Sequence, residues 1–473
     1  MKHTFSDEII KACDIRGVYP REFDEEDAFH IGRAFGTLLA REKQKTCIIG
    51  YDGRESSVEL SRAMQEGLVQ CGIDIIDIGL MPTPAVYYAV KKLTADAGVI
   101  ITASHNPAEY NGVKFVLSDG LFHGRQIEEL ASISAEGQYF TAHVVGTCSK
   151  VDFGSAYVEH LLSALSLPLQ HALHIVWDPG NGAGAAVIKQ LTDSIPGKHT
   201  LICEQVDSRF PHHHPDPSQP RNLMLLSETV QAEGADFGVA FDGDADRIGV
   251  VSKSGSILQG DQLMVLFARD FLKRNPGKKV MSEVKASVFF YDEIVRLGGE
   301  PIMWKVGHTN QKEKMVQDDI QLAGETSGHI FFADNYGFDD GLYAAVRLID
   351  IYAHTDRSLE DDVVSFPRLF DSGEIRLELP LMERMKLVED IILALESERR
   401  EIVTIDGVRV ACSDGFWMLR SSNTQPHITI RCEALSQVGL DACLKDLQSH
   451  IHAAGCDMEA ITVYREKLSV QGL

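Results

Sequence analysis

Three aspartates alternate in "AFDGDADRIGVV", residues 240–251. Asp242, Asp244 and Asp246 crowd one short loop between apolar runs, where their charges repel and a cation is the natural remedy. An all-oxygen ligand set suits a hard ion such as Mg²⁺. The EF-hand pattern fails, because its sixth position is Arg247 instead of Gly and its twelfth is Lys253 instead of Glu. A solvated acidic turn is the alternative. A second stretch, "GVIITASHNPAEYNGVKF" (98–115), runs an apolar segment into a polar turn that holds Ser104 beside His105. A serine there is either a nucleophile or a turn and helix cap. Lys114 ends the same stretch, facing the same cleft or the solvent.

Two further loops carry convergent polar groups. In "AGETSGHIFF" (323–332), Glu325, Ser327 and His329 occupy alternate positions, so an extended backbone projects them to one side. A carboxylate and a hydroxyl so spaced suit neighbouring sugar hydroxyls, and His329 adds an acid–base group. In "LRSSNTQPHITIR" (419–431), Arg420, Ser421, Ser422, Asn423 and Thr424 cluster before Pro426. A forked guanidinium with hydroxyls and backbone N–H groups makes a phosphate cradle. "KACDIRG" offers Lys11 and Arg16, and "WKVGHTNQKEK" offers Lys305 and His308, as positive charge for a phosphorylated ligand. The consecutive histidines of "PHHHPDP" lack the spacing of a metal pair on a helix or strand.

The elements that must position these loops read as alternating strands and helices. "CIIGYDGR" is a strand entering a turn, "SRAMQEGLVQCG" a helix and "IDIIDIGL" the next strand. "LHIVWDPGNGAGAAVIKQL" repeats strand, Gly-rich turn and helix, and "KKVMSEV" and "IQLAGETSG" add further strands. This order predicts three related α/β domains with mixed, largely parallel sheets. The last hundred residues, with "GEIRLELP" and "HITIRCEA", predict a separate α+β unit. The expected domains are residues 1–151, 152–255, 256–367 and 368–473, with one polar loop each at the carboxyl ends of strands.

A chain of 473 residues exceeds a single core, and a formal charge of −24 disfavours nucleic acid and anionic membranes as partners. Nine scattered cysteines without a C-x-x-C pair read as free thiols of a reducing cytoplasm. The N-terminus has no apolar signal region, and no apolar run of membrane-spanning length occurs. A cytoplasmic enzyme, monomer or dimer, is the expectation.

The motifs "TASHNP", "DGDADR", "GETSGH" and "RSSNTQP", in this order, resemble the α-D-phosphohexomutase family, most closely its bacterial phosphomannomutase/phosphoglucomutase branch. "DIRG", "MPTP", "HPDP", "KVGH" and "GFDDG" support the likeness, which spans residues 11 to about 434. The resemblance implies four domains around a central cleft and a phosphorylated Ser104. Asp242, Asp244 and Asp246 would hold Mg²⁺ together with a phosphoserine oxygen. Glu325 and Ser327 would grip sugar hydroxyls, and Arg420, Ser422, Asn423 and Thr424 the non-reacting phosphate. Lys114 and His329 are the implied general acid–base groups, with neighbouring cations expected to ease proton loss from the lysine. Arg247 would orient the reacting groups, and Lys11, Arg16, Lys305 and His308 would line the cleft.

The implied activity interconverts hexose 1-phosphates and hexose 6-phosphates, of mannose or glucose, through a hexose 1,6-bisphosphate that also serves as activator. The chain departs from the branch pattern at Cys13, where Tyr is frequent, and at Lys11, where Arg is frequent. A phosphoglucosamine mutase is the nearest alternative; a metal-dependent sugar phosphatase and a non-catalytic sugar-phosphate binding protein are more distant ones. The closed cleft that phosphoserine chemistry calls for predicts movement of the last domain from about residue 368.

Overall fold

The structure, a computed structural model, describes residues 2–6, 8–421 and 427–456. Four sheets follow one another along the chain. The first holds β1 (Ile15–Val18), β2 (Thr46–Tyr51), β3 (Asp74–Leu80), β4 (Ala97–Ile101), β5 (Tyr110–Leu117) and β6 (Cys148–Lys150), in the order β1-β5-β4-β2-β3-β6. The second holds β7 (Leu173–Asp178), β8 (Gly197–Leu201), β9 (Phe237–Phe241), β10 (Ile248–Ser252) and β11 (Ile257–Leu258), ordered β11-β10-β9-β7-β8. The third holds β12 (Lys279–Glu283), β13 (Glu300–Trp304), β14 (Leu322–Gly324) and β15 (Ile330–Phe332), ordered β13-β12-β14-β15.

These three sheets share one plan. A parallel centre is extended on one side by an antiparallel strand: β4 pairs parallel with β2 and antiparallel with β5. β9 does the same between β7 and β10, and β14 between β12 and β15. The sheets are therefore mixed, and the reason is loop length. Residues 102–109, 242–247 and 325–329 are too short for the crossover of a dozen or more residues that parallel pairing requires, so each chain turns straight back. The strands that feed the loops are buried along their whole length, as AGVII (97–101) and FGVAF (237–241) illustrate, which explains their unbroken apolar runs. The polar loop of each unit thus stands at the end of a rigid, central strand.

The fourth sheet is antiparallel throughout: β16 (Phe370–Asp371), β17 (Ile375–Glu378), β18 (Ile402–Val403), β19 (Val408–Ala411), β20 (Gly415–Ser421) and β21 (His427–Ala434). Its long helices, Leu381–Ser397 and Gln437–Ala453, contribute Leu387, Ile391, Leu440 and Leu447 to a core of its own. The first three units instead share one continuous apolar cluster, which runs from Tyr88 and Val86 through Tyr157, Trp177 and Phe241 to Phe290 and Tyr343. Among the described residues, the apolar contact between the fourth unit and the third is a small patch whose buried members are Val284, Phe416 and Met418. Polar links across the boundary include Arg409 to the carbonyl of Ala286 (2.7 Å), Arg431 to the carbonyl of Lys285 (2.7 Å) and Ser287 to Glu433 (2.6 Å). All nine cysteines are free thiols. No helix among the described residues is long and apolar enough to cross a membrane.

Candidate active site

The turn after β4 holds Ser104 at φ +50°, a left-handed backbone that non-glycine residues rarely adopt. Local hydrogen bonds fix it. The Ser104 N–H donates to Thr102 Oγ1 at 2.8 Å, and Thr102 in turn donates to Asp52 at 2.7 Å. The buried Arg54 guanidinium donates to the carbonyls of Ser104, Asn106, Pro107 and Tyr110 at 2.6–2.9 Å. Asp52 accepts from its Nε at 3.1 Å. Arg16 adds a bond to Asn106 Oδ1 at 2.7 Å while pairing with Asp14. The outcome is a buried serine whose hydroxyl leaves its own domain: Oγ donates to Asp242 Oδ2 at 2.7 Å and lies 3.1 Å from His105 Nδ1.

Asp242, Asp244 and Asp246 are fully buried, and each brings a carboxylate oxygen to within 4.8 Å of the others'. Asp244 Oδ1 and Asp246 Oδ1 have no hydrogen-bond partner among the described residues. Buried, clustered, partly unpaired carboxylate oxygens fit a hard divalent cation. Gly243 makes the approach of the two loops possible: a Cβ there would lie 2.5 Å from the Ser104 carbonyl oxygen. Thr83, the first residue of the helix Thr83–Lys92 that follows β3, donates its hydroxyl to Asp244 Oδ2 (2.7 Å) and its N–H to the Asp244 carbonyl (2.9 Å). Burial and the neighbouring Asp246 and Asp244 push the Asp242 carboxyl well above the usual range.

Lys114, on β5, reaches Asp244 Oδ2 at 2.7 Å and Asp246 Oδ2 at 2.6 Å. Burial opposes its charge, but the two carboxylates override burial and hold its pKa well above that of a free lysine. Burial works against ionisation of Asp244 too, yet the Lys114 ammonium keeps that carboxyl well below the usual range. This corrects the expectation that neighbouring cations ease proton loss from Lys114: the Arg16 guanidinium does act in that direction, but the two carboxylates outweigh it and retain the proton.

The third loop closes on the same centre. Arg247 donates its N–H to Asp242 Oδ1 (3.2 Å) and its Nε–H to His329 Nε2 (2.9 Å). Ser327 Oγ lies 3.2 Å from Glu325 Oε2, and the other Glu325 oxygen accepts from the N–H of Gly307, which starts the turn bearing His308. Burial raises the Glu325 carboxyl and lowers the His308 imidazole. Arg420, buried at the end of β20, pairs with Asp406 at 3.1 Å, and the same Asp406 oxygen accepts from Val306 N–H at 3.0 Å. Ser422, Asn423 and Thr424 lie outside the described residues.

Two expected residues stand apart. The Lys11 ammonium turns back to the Glu8 carbonyl, and the Lys305 side chain is exposed; neither joins the cluster around Ser104. Cys13 is half-buried, and burial pushes its thiol pKa up. Arg54, Thr83 and Asp339 were not singled out from sequence. Each lies in a short polar turn, "YDGR", "MPTP" or "GFDDG", a signal of a loop but not of what the loop touches.

Residues 7–139, 155–255 and 259–369 match the family models Phosphoglucomutase/phosphomannomutase, alpha/beta/alpha domains I, II and III. The chain belongs to the phosphoglucomutase/phosphomannomutase family. It is 38% identical over 442 residues to a phosphomannomutase/phosphoglucomutase of Pseudomonas putida, covering 93% of this chain and 94% of the relative. It is equally similar, 38% over 437 residues, to a phosphoglucomutase of Neisseria gonorrhoeae, with 92% and 94% covered. A solved family protein from Burkholderia thailandensis superimposes with a TM-score of 0.90 at 36% identity, covering 96% of this chain and 98% of that one. The family's three α/β/α units correspond to the three sheets whose turns meet at Ser104.

Proposed function

We propose that this chain is a phosphomannomutase/phosphoglucomutase that transfers a phosphoryl group between Ser104 and a hexose phosphate. The observation that carries the reading is the Ser104 hydroxyl, buried, 2.7 Å from Asp242 and backed by an arginine that grips four carbonyls of its loop. A structural serine has no need of a cluster of three buried carboxylates from another domain. Asp242, Asp244 and Asp246 would hold Mg²⁺, which supplies charge neutralisation for the transferring oxygens.

Ser104 in its phosphorylated form is the donor. The bond from phosphorus to serine oxygen breaks as one forms to the free hydroxyl of a hexose 1- or 6-phosphate. The hydroxyl gives its proton to His329, and the product is a hexose 1,6-bisphosphate. After the intermediate turns over, its other phosphoryl group returns to Ser104. Lys114 and Arg247 place positive charge beside the site of transfer. Glu325 and Ser327 accept and orient sugar hydroxyls, while Arg420, with Ser422, Asn423 and Thr424, holds the non-reacting phosphate and so fixes the distance to Ser104.

Purified protein with Mg²⁺ and a trace of glucose 1,6-bisphosphate should convert mannose 1-phosphate and glucose 1-phosphate to their 6-phosphates in a coupled assay. Ser104→Ala should lose at least about 10³-fold of this activity, together with the phosphoserine mass increment. Preference for glucosamine 1-phosphate would move the chain to the phosphoglucosamine branch. Release of inorganic phosphate as main product would make it a phosphatase, and activity indifferent to Ser104 would remove the phosphoserine mechanism.

A further inference from the structure

The turn "GFDDG" (337–341) takes no part in the mechanism just described, yet it packs against both the metal loop and His329. Gly341 donates its N–H to the Ala245 carbonyl at 3.1 Å, and a Cβ at 341 would lie 2.5 Å from the Arg247 carbonyl oxygen. Asp340 caps the helix Gly341–Ala353 through the N–H of Tyr343. Asp339 is left with its carboxylate fully buried and pointing at the site. Oδ2 lies 3.0 Å from His329 Nδ1 and 3.5 Å from His308 Nδ1, and Oδ1 lies 2.6 Å from Lys312 Nζ.

The opposite edge of the His329 ring reports its tautomer. Arg247 Nε–H can only donate, and it lies 2.9 Å from His329 Nε2. Nε2 therefore carries the lone pair and Nδ1 carries the proton. The nearest acceptor for that proton is Asp339, at 3.0 Å against 3.7 Å for Asp246 Oδ1. Nδ1 reaches neither oxygen at a good hydrogen-bond angle, as is common before a ligand tightens a catalytic contact. Asp246, His329 and Asp339 also lie close enough to chelate an ion. Lys312 on Asp339 and Lys114 on Asp246 already supply the positive charge there.

We infer that Asp339 is a positioning residue for His329: its carboxylate holds the imidazole in the Nδ1–H tautomer, so that Nε2 keeps the lone pair, which Arg247 Nε–H engages here and which takes the substrate's hydroxyl proton once that contact yields to the substrate. Lys312 keeps that carboxylate in place, with its ammonium 4.4 Å from the centre of the Tyr87 ring. The arrangement follows the general pattern in which a buried carboxylate orients a histidine base through the ring nitrogen away from the reaction. The assignment rests on the proposed role of His329 as proton acceptor.

The test has two arms. Histidine-selective ¹⁵N NMR of the full-length protein, with the His329 signals identified by their loss in His329→Asn, reads the tautomer without any need for activity. Wild type should show the Nδ1–H form, Asp339→Asn a mixture, and Lys312→Met a partial shift toward that mixture. In the mutase assay Asp339→Asn should lower kcat about 10²-fold with KM within about threefold, and Asp339→Glu should recover part of the loss. Nε2–H in the wild type, or an unchanged kcat in a folded Asp339→Asn, would overturn the inference. A correct tautomer with no mutase activity in the wild type would fault the proposed function and leave the positioning intact. Should Asp339→Asn fail to fold, the wild-type tautomer and Lys312→Met still decide the question.

Discussion

At Ser104 the backbone occupies a conformation that costs about 1–2 kcal/mol for a residue with a Cβ. Arg54 and Thr102 supply the hydrogen bonds that hold it there. Ala245, between Asp244 and Asp246, sits at φ +58°, held by backbone bonds to Asp242 and Gly341. A second buried cation braces the neighbouring loop. His213, the middle of the three consecutive histidines, lies 2.8 Å from Asp178 and 3.9 Å from the Cys203 thiol. Burial opposes its charge, but Asp178, the thiol and the His214 carbonyl override burial and push its pKa up to about 10. Since this lies above the unfolded value of about 6.5, the stabilisation is complete below pH ~6.5 and is lost as pH rises toward 10. Urea unfolding should find wild type a few kcal/mol (~2–4) more stable than His213→Gln at pH 6. The gap should shrink by pH 10; a gap independent of pH would mean that the ion pair is not its source.

Among the elements, the hairpins from β4, β9 and β14 do the positioning, and their contacts depend on backbones that nearly touch. Gly243→Ala would place a methyl carbon 2.5 Å from the Ser104 carbonyl oxygen, where backbone, not a flexible side chain, must yield. We expect at least about a tenfold fall in kcat from sub-ångström displacement of the serine from the carboxylates, with thermal stability changed far less than by a core substitution. An unaltered kcat would show that the two loops tolerate separation. These hairpins also mark how far the sequence could be read. Asp242, Asp244, Asp246 and Ser104 stand out because each loop interrupts an apolar run within a few residues. Arg54 and Thr83 do not, because what makes them matter is a partner far along the chain, as with Thr83 and Asp244, and no local pattern encodes it. Lys11 shows the converse: a basic residue in the right motif whose side chain is satisfied by the nearby Glu8 carbonyl. The antiparallel edge of each sheet was legible only in loop length, and the proton-retaining surroundings of Lys114 only once two domains were side by side.

For the whole molecule, the continuous core of the first three units contrasts with the small patch and polar links of the fourth. Three welded units and one lightly attached unit make a frame with one movable wall. Arg420 sits on that wall, tied to the third unit through Asp406, so a phosphate that draws on its guanidinium competes with a contact that holds the present geometry. Small-angle scattering should therefore record a smaller radius of gyration with glucose 1,6-bisphosphate than without. Identical curves at saturating ligand would count against domain closure.

The carboxylates that serve Ser104 and Lys114 lie 138 and 130 residues further along the chain. On the ribosome, at roughly 5–20 residues per second, the serine turn emerges roughly 7–28 seconds before Asp242 exists. In that interval the first unit carries Lys114 without its two carboxylate partners and Ser104 without Asp242. On the proposed mechanism, its capacity to take phosphate from a bisphosphate would arise only when the second unit docks. On that reading, a chain ended before residue 242 would be inert toward the bisphosphate.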